Sequence, residues 1–139
     1  MQSNSLICVI DDNPDYTLIL QHFFSTSLPE YTVRYFDNGK TFLSELSQMP
    51  AKPKLILLDR HMPIVDGHQL LIHLKWDEYV RMIPVVMMSA EATSEEISGC
   101  YEAGANSFII KAIDFNQLRK TLTVICQYWI EFNTLPRHT

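Results

Sequence analysis

Four short apolar runs punctuate the chain: Leu6 to Ile10, Leu55 to Leu58, Pro84 to Met88 and Phe108 to Ile110. They are partly β-branched and lack the strict alternation of a half-exposed strand, so they predict parallel strands buried on both faces. Thr32 to Phe36 is a weaker run and predicts a fifth strand nearer an edge. Between the runs lie segments of helical length with apolar residues three and four apart, such as Leu18, Phe23 and Phe24, or Leu70, Leu71 and Leu74. Asn13 followed by Pro14 predicts an N-cap with proline at the first helical position, where its missing N–H costs nothing. Thr93 and Glu96 match a capping box ahead of Ile97, Cys100 and Tyr101, and Gly104 is placed to end that helix. The last helix is expected to open at Asp114 and run to about Phe132, burying Phe115, Leu118, Leu122, Ile125, Cys126 and Trp129.

Strand and helix thus alternate five times. Right-handed crossovers then give an α/β fold: a doubly wound, five-stranded parallel sheet, flavodoxin-like, with expected strand order 2-1-3-4-5. At 139 residues the expectation is one domain over 1–139, with its core from Leu6 to Phe132 and only Met1 to Asn4 and the tail after Leu135 loose.

Composition narrows the function. The net charge of −5 comes without a basic block, which argues against binding nucleic acid. No apolar run approaches the ~20 residues of a bilayer span and MQSNS has no signal-peptide character, so a cytoplasmic location is the default expectation. Cys8, Cys100 and Cys126 are far apart among apolar neighbours, as reduced core thiols would be. His68 and His73 lack the i, i+4 spacing of a helical zinc pair.

Polar residues interrupt the apolar pattern at a few places only: Asp11 and Asp12 after strand 1, Asp59 after strand 3, Ser89 after strand 4 and Lys111 after strand 5. All stand at carboxyl ends, outside which the ligand crevice of an open α/β sheet lies. Three crowded carboxylates repel unless a cation lies among them, and oxygen-only ligation suits Mg²⁺ or Mn²⁺. The ammonium of Lys111 and the hydroxyl of Ser89 are superfluous for holding a metal but suited to an anion beside it. Nucleophile, metal, ammonium and hydroxyl together are what phosphoryl transfer needs, which makes Asp59 the candidate phosphoacceptor.

LILLDRHMPIVDG, from Leu55 to Gly67, resembles the phosphoacceptor signature of response-regulator receiver domains, with Asp59, Met62, Pro63, Asp66 and Gly67 in the family's places. Asp11-Asp12, Ser89-Ala90 and Lys111 complete the pattern from Leu6 to about Phe132. The resemblance implies that Asp12, Asp59 and the backbone carbonyl of His61 ligate Mg²⁺, that Asp11 holds it through water, and that Lys111 pairs with the phosphoryl group. It also implies a switch in which Ser89 moves toward the phosphate and Phe108 turns inward behind it. The implied partners are a histidine kinase or phosphotransfer protein, and the chemistry is confined to gain and loss of phosphate on Asp59. With no output domain expected, the signal leaves by protein contacts. The fourth helix, fifth strand and fifth helix form the expected surface, for an output protein or a homodimer. The ending QYWIEFNTLP, from Gln127 to Pro136, carries apolar residues on nearly every side and is similar to that of stand-alone receivers partnering bacteriophytochromes, which dimerise there.

One departure stands out. The family usually places a proline, joined by a cis bond, after the lysine, whereas this chain has Ala112. A cis bond to a non-proline residue costs about 2.5–4 kcal/mol, so a trans Lys111–Ala112 bond with a rearranged loop is expected, or else a strained cis bond. Two rival readings are a degenerate receiver used only for docking or dimerisation, and a haloacid-dehalogenase-type phosphatase. The phosphatase needs a second acid two residues after its nucleophile, where this chain has His61.

Overall fold

The computed structural model describes residues 5–136. Strands and helices alternate as β1 (Leu6–Ile10), α1 (Pro14–Ser27), β2 (Thr32–Phe36), α2 (Gly39–Leu46), β3 (Leu55–Asp59), α3 (Gly67–Trp76), β4 (Val85–Ser89), α4 (Ser94–Glu102), β5 (Ser107–Ile110) and α5 (Phe115–Cys126). A π-helical segment, Gln127–Phe132, continues from α5. The five strands are parallel in the order β2-β1-β3-β4-β5, as expected from the sequence. The tail beyond Pro136 and the first four residues lie outside the described part, so the expectation that they are loose is not addressed.

The period of two along each central strand divides the core into two layers. Cys8, Ile10, Ile56, Leu58, Val85 and Met87 face one side, where Phe42, Leu70, Leu71, Leu74 and Cys100 of α2, α3 and α4 cover them. Ile7, Val9, Leu55, Leu57, Val86 and Met88 face the other, against Leu20 and Phe23 of α1 and Leu118, Leu122 and Cys126 of α5. Strands covered on both faces have no polar side to advertise, which is why they stand in the sequence as unbroken apolar runs. The edge strands differ: β2 is part-exposed as expected, but β5, expected to be buried on both faces, lies at the other edge with no buried residue and with Ile110 facing solvent. All three cysteines are buried and free.

The local signals act where the sequence puts them. Asn13 Oδ1 accepts the N–H groups of Asp15 and Tyr16, capping α1 ahead of Pro14. Thr93 and Glu96 form a reciprocal capping box on α4, and Gly104 follows that helix at φ 109°, a left-handed conformation that costs glycine nothing. At the far end of the sheet, Lys75 Nζ donates to the carbonyls of Arg81 and Ile83 and to Asn106 Oδ1, tying α3 to the starts of β4 and β5.

Three further expectations need correction. Leu18 is exposed, because Tyr16, Leu20, Phe23 and Phe24 already form the inward stripe of α1 and Leu18 falls between its turns. Phe115 is also exposed; it begins α5 beyond the sheet, and its ring lies against His22 rather than in the core. The final helix does reach Phe132, but its last six residues widen into π geometry, with the Asn133 N–H bonding to the Tyr128 carbonyl five residues back. Trp129 and Ile130 thereby pack on the α1–α5 layer while Tyr128 and Phe132 remain exposed. A hydrogen bond from the Tyr31 hydroxyl to Glu131 holds this segment to the α1–β2 connection. Among the described residues, no helix is long and apolar enough to cross a membrane.

Candidate functional site

Each candidate residue leaves the sheet at a carboxyl end. After β1, the Asp11 N–H donates to the Phe36 carbonyl at 2.9 Å, and Asp11 Oδ1 accepts the Asn13 N–H at 2.8 Å, so this side chain is fixed from both directions and is only 2 % exposed. Asp12, the next residue, turns to solvent. Asp59 ends β3 and is 5 % exposed, with Oδ1 accepting the His61 N–H at 3.3 Å. Asp11, Asp12 and Asp59 can each offer one carboxylate oxygen such that all three lie within 4.8 Å of one another.

The chain beyond Asp59 loops out and returns at Gly67, whose α-carbon packs against the end of β3. A Cβ there would lie 2.0 Å from the Asp59 carbonyl oxygen, so only glycine lets α3 begin so close to the nucleophile's backbone. Arg60 spans the same loop, its Nη1 bonding both oxygens of Asp66 at 2.9 and 3.2 Å. Asp66 at the same time caps α3. Glu96 of α4 approaches Arg60 at 4.0 Å and the His61 ring at 3.7 Å, linking the loop to the start of α4.

On the other flank, Lys111 follows β5, its N–H donating to the Ser89 carbonyl at 2.7 Å. Its ammonium lies 2.8 Å from Asp11 Oδ2 and 3.6 Å from Asp59 Oδ1, and 4.4 Å from the centre of the Tyr16 ring. The described peptide bonds are all trans, Lys111–Ala112 included, and this backbone still delivers the ammonium to both carboxylates. Ser89 is fully buried and its hydroxyl donates to the Glu91 carbonyl at 2.6 Å, bridging β4 to the loop that leads into α4. Phe108 is half-buried against the α2–α4 layer, and its N–H donates to the Tyr101 hydroxyl of α4 at 3.1 Å.

One ammonium does not neutralise this many carboxylates. Burial foremost, and Asp11 next, push the Asp59 carboxyl up to about 7, against the opposing pull of Lys111 and the His61 N–H. Asp11 Oδ2 is buried and faces Lys111 without a well-aligned hydrogen bond. A hard divalent cation fits such a site: the donors are all oxygens, they already converge, and their excess negative charge is otherwise uncompensated.

The structure therefore brings Asp11, Asp12, Asp59 and Lys111 together, whereas the buried Ser89 turns its hydroxyl to the Glu91 carbonyl and Phe108 packs on the α2–α4 layer. Two features escape sequence reasoning. Tyr16 belongs to the inward stripe of α1 and reads as core, yet its ring lies under Lys111; burial, then Asp11 and Asp59, hold its phenol above the ordinary value. The Arg60–Asp66 pair closes a loop that has no regular period, so nothing in the sequence pattern marks the two as partners.

Comparisons with known proteins agree with this geometry. The family model for the response regulator receiver domain matches residues 7–123. Response regulator Rcp1 of Synechocystis sp. is 26% identical over 136 residues, covering 94% of this chain and 92% of Rcp1. The probable methanogenesis regulatory protein FilR2 of Methanothrix harundinacea is 28% identical over 135 residues, covering 94% and 87%. Among solved structures, the phosphorylated cyanobacterial phytochrome response regulator RcpA superposes with a TM-score of 0.87 at 27% identity, covering 97% of this chain and all of RcpA. The Mn²⁺-bound form of Rcp1 gives a TM-score of 0.83 at 25% identity, covering 96% and 99%.

Proposed function

This chain belongs to the response regulator receiver domain family, and from that premise we propose that it is a phosphorylation switch in which Asp59 accepts a phosphoryl group from a phosphohistidine. The observation that carries this reading is the convergence on one buried carboxylate of groups from three strand ends, Asp11 and Asp12 after β1, Asp59 at the end of β3 and Lys111 after β5, with Ser89 ending the neighbouring strand β4. Residues 6–132 act as one receiver unit in this reading.

A carboxylate oxygen of Asp59 forms the new O–P bond as the P–N bond of the donor breaks, and the departing imidazole takes up a proton. Asp11, Asp12, Asp59 and the His61 backbone carbonyl would hold Mg²⁺ or Mn²⁺. The cation, when bound, neutralises charge on the phosphoryl oxygens. Lys111 stands 3.6 Å from Asp59 and needs little movement to pair with a phosphoryl oxygen. Ser89 exchanges its bond to the Glu91 carbonyl for one to the phosphoryl group, which frees the β4–α4 loop. Phe108 then moves into the space left by the loop, loosening its link to Tyr101 and with it the α4–β5 face. That face carries the signal onward.

The donor is a histidine kinase, or a phosphotransfer protein charged by one, in the cytoplasm. Likeness to RcpA and to the bacteriophytochrome response regulator AtBRR, 26% identical at a TM-score of 0.76, supports a phytochrome-type kinase. A homodimer through α4, β5, α5 and the π-helical segment is supported by the exposed Val124, Tyr128 and Phe132. Incubation with acetyl phosphate and Mg²⁺, followed by intact mass, tests the switch: the wild type gains one phosphoryl group, whereas Asp59→Asn and EDTA-treated protein gain none. Equal modification of wild type and variant would overturn it.

A further inference from the structure

Tyr16 sits in the first turn of α1, its N–H held by Asn13 Oδ1 at 3.1 Å, so the side chain departs from a pinned backbone. It is 8 % exposed, and in the same apolar layer as Ile109 and Ala112, which flank the end of β5. The Lys111 ammonium thus has carboxylates at 2.8 and 3.6 Å and an aromatic ring whose centre is 4.4 Å away. Tyr16 fills a place in the core, but packing alone does not call for an aromatic face against an ammonium. An aliphatic side chain would fill the same volume but has no ring quadrupole to attract a cation. The phenolic hydroxyl does not explain the residue either: it is buried and has no hydrogen-bond partner among the described residues.

Lys111 needs such a support more than most lysines do. Its stem is long and flexible, and the residue after it is Ala112, which fixes the backbone less than proline would. The ammonium rests 2.8 Å from Asp11 and 3.6 Å from Asp59, and the Tyr16 ring, its centre 4.4 Å away, adds a third contact that restricts where the charge can move.

We infer that Tyr16 is a positioning residue for Lys111, its aromatic face holding the ammonium where it meets the incoming phosphoryl group. The inference rests on the proposed phosphoacceptor role of Asp59. It predicts that loss of the face acts on phosphoryl transfer and not on metal affinity, and that the hydroxyl is dispensable.

The test compares Tyr16→Leu with Tyr16→Phe in the full chain, using acetyl phosphate as donor and timed intact mass as readout. Tyr16→Leu should slow phosphorylation about 3- to 30-fold, the rate equivalent of one cation–π contact. Tyr16→Phe, which keeps the face, should restore the rate. In a Lys111→Ala background the Leu substitution should add no further loss, whereas a merely structural role would give additive losses. Mn²⁺ affinity, followed by electron paramagnetic resonance, should be the same for both Tyr16 variants. Additive losses, or a Phe variant as slow as the Leu variant, would overturn the inference. Carbon relaxation at the Lys111 ε-methylene separates this claim from the one beneath it. If the wild type takes no phosphoryl group, an ε-methylene ordered in wild type and Tyr16→Phe but mobile in Tyr16→Leu still upholds the positioning role. Equal mobility in all three refutes it, whatever the state of Asp59.

Discussion

Without divalent metal, replacing Asp59 by Asn should make the protein more stable at pH 8. The Asp59 carboxyl is 5 % exposed and pushed up to about 7, first by burial and then by Asp11. A carboxyl whose folded pKa lies above its unfolded value binds its proton more tightly when folded. Its ionisation therefore removes stability as pH rises from the unfolded value of about 3.9 through about 7. Three units at about 1.4 kcal/mol each set a ceiling near 4 kcal/mol for that loss. Asparagine carries no charge to lose, but burying its N–H donors costs about 1–2 kcal/mol, leaving a gain of roughly 2–3 kcal/mol at pH 8. Urea denaturation in EDTA at pH 5 and pH 8 measures it: the gap between variant and wild type should open as pH rises, since groups common to both cancel. Mg²⁺ at about a hundred times its dissociation constant should return about 2.7 kcal/mol to the wild type at pH 8 and far less to the variant. A variant no more stable than wild type at pH 8 in EDTA, or an equal response of both to Mg²⁺, would refute the electrostatic reasoning.

Other substitutions probe the scaffold around Asp59. Gly67→Ala would place a Cβ 2.0 Å from the Asp59 carbonyl oxygen, and the backbone shift it forces should cost roughly 3 kcal/mol in denaturant titrations. Thr93→Ala removes half of the capping box on α4 and should cost about 1 kcal/mol, read from the shift in thermal or urea midpoint. Ser89→Ala loses the buried bond to the Glu91 carbonyl, at about 1 kcal/mol, and should slow phosphorylation of Asp59 while leaving metal affinity unchanged.

Much of this was legible because the fold separates its chemistry from its packing. Strands covered on both faces must be apolar, so β1, β3 and β4 show as runs, and any polar residue at their ends is conspicuous; that is how Asp11, Asp12, Asp59 and Ser89 stood out, with Lys111 marked by the shorter apolar run of the edge strand β5. Caps are equally local, which made Asn13-Pro14 and Thr93-Glu96 readable without tertiary information. What escaped depends on distant partners. The π geometry of Gln127–Phe132 goes with the packing of Trp129 and Ile130 on the sheet and the tie from Tyr31 to Glu131, a hundred residues away. Leu18 and Phe115 look like core residues until the neighbours that occupy the inward face are known. Tyr16 is the converse: its helix stripe marks it as core, and only the position of Lys111 gives its ring a second role.

The central claim is that one carboxylate, Asp59, carries the phosphoryl group. An acyl phosphate is reduced by borohydride to a primary alcohol, which would leave homoserine in place of aspartate, so peptide mapping after acetyl phosphate, Mg²⁺ and borohydride locates the modified residue directly. Homoserine is expected at position 59, and none when Mg²⁺ is omitted. Homoserine at Asp11 or Asp12, or unmodified peptides throughout, would contradict it.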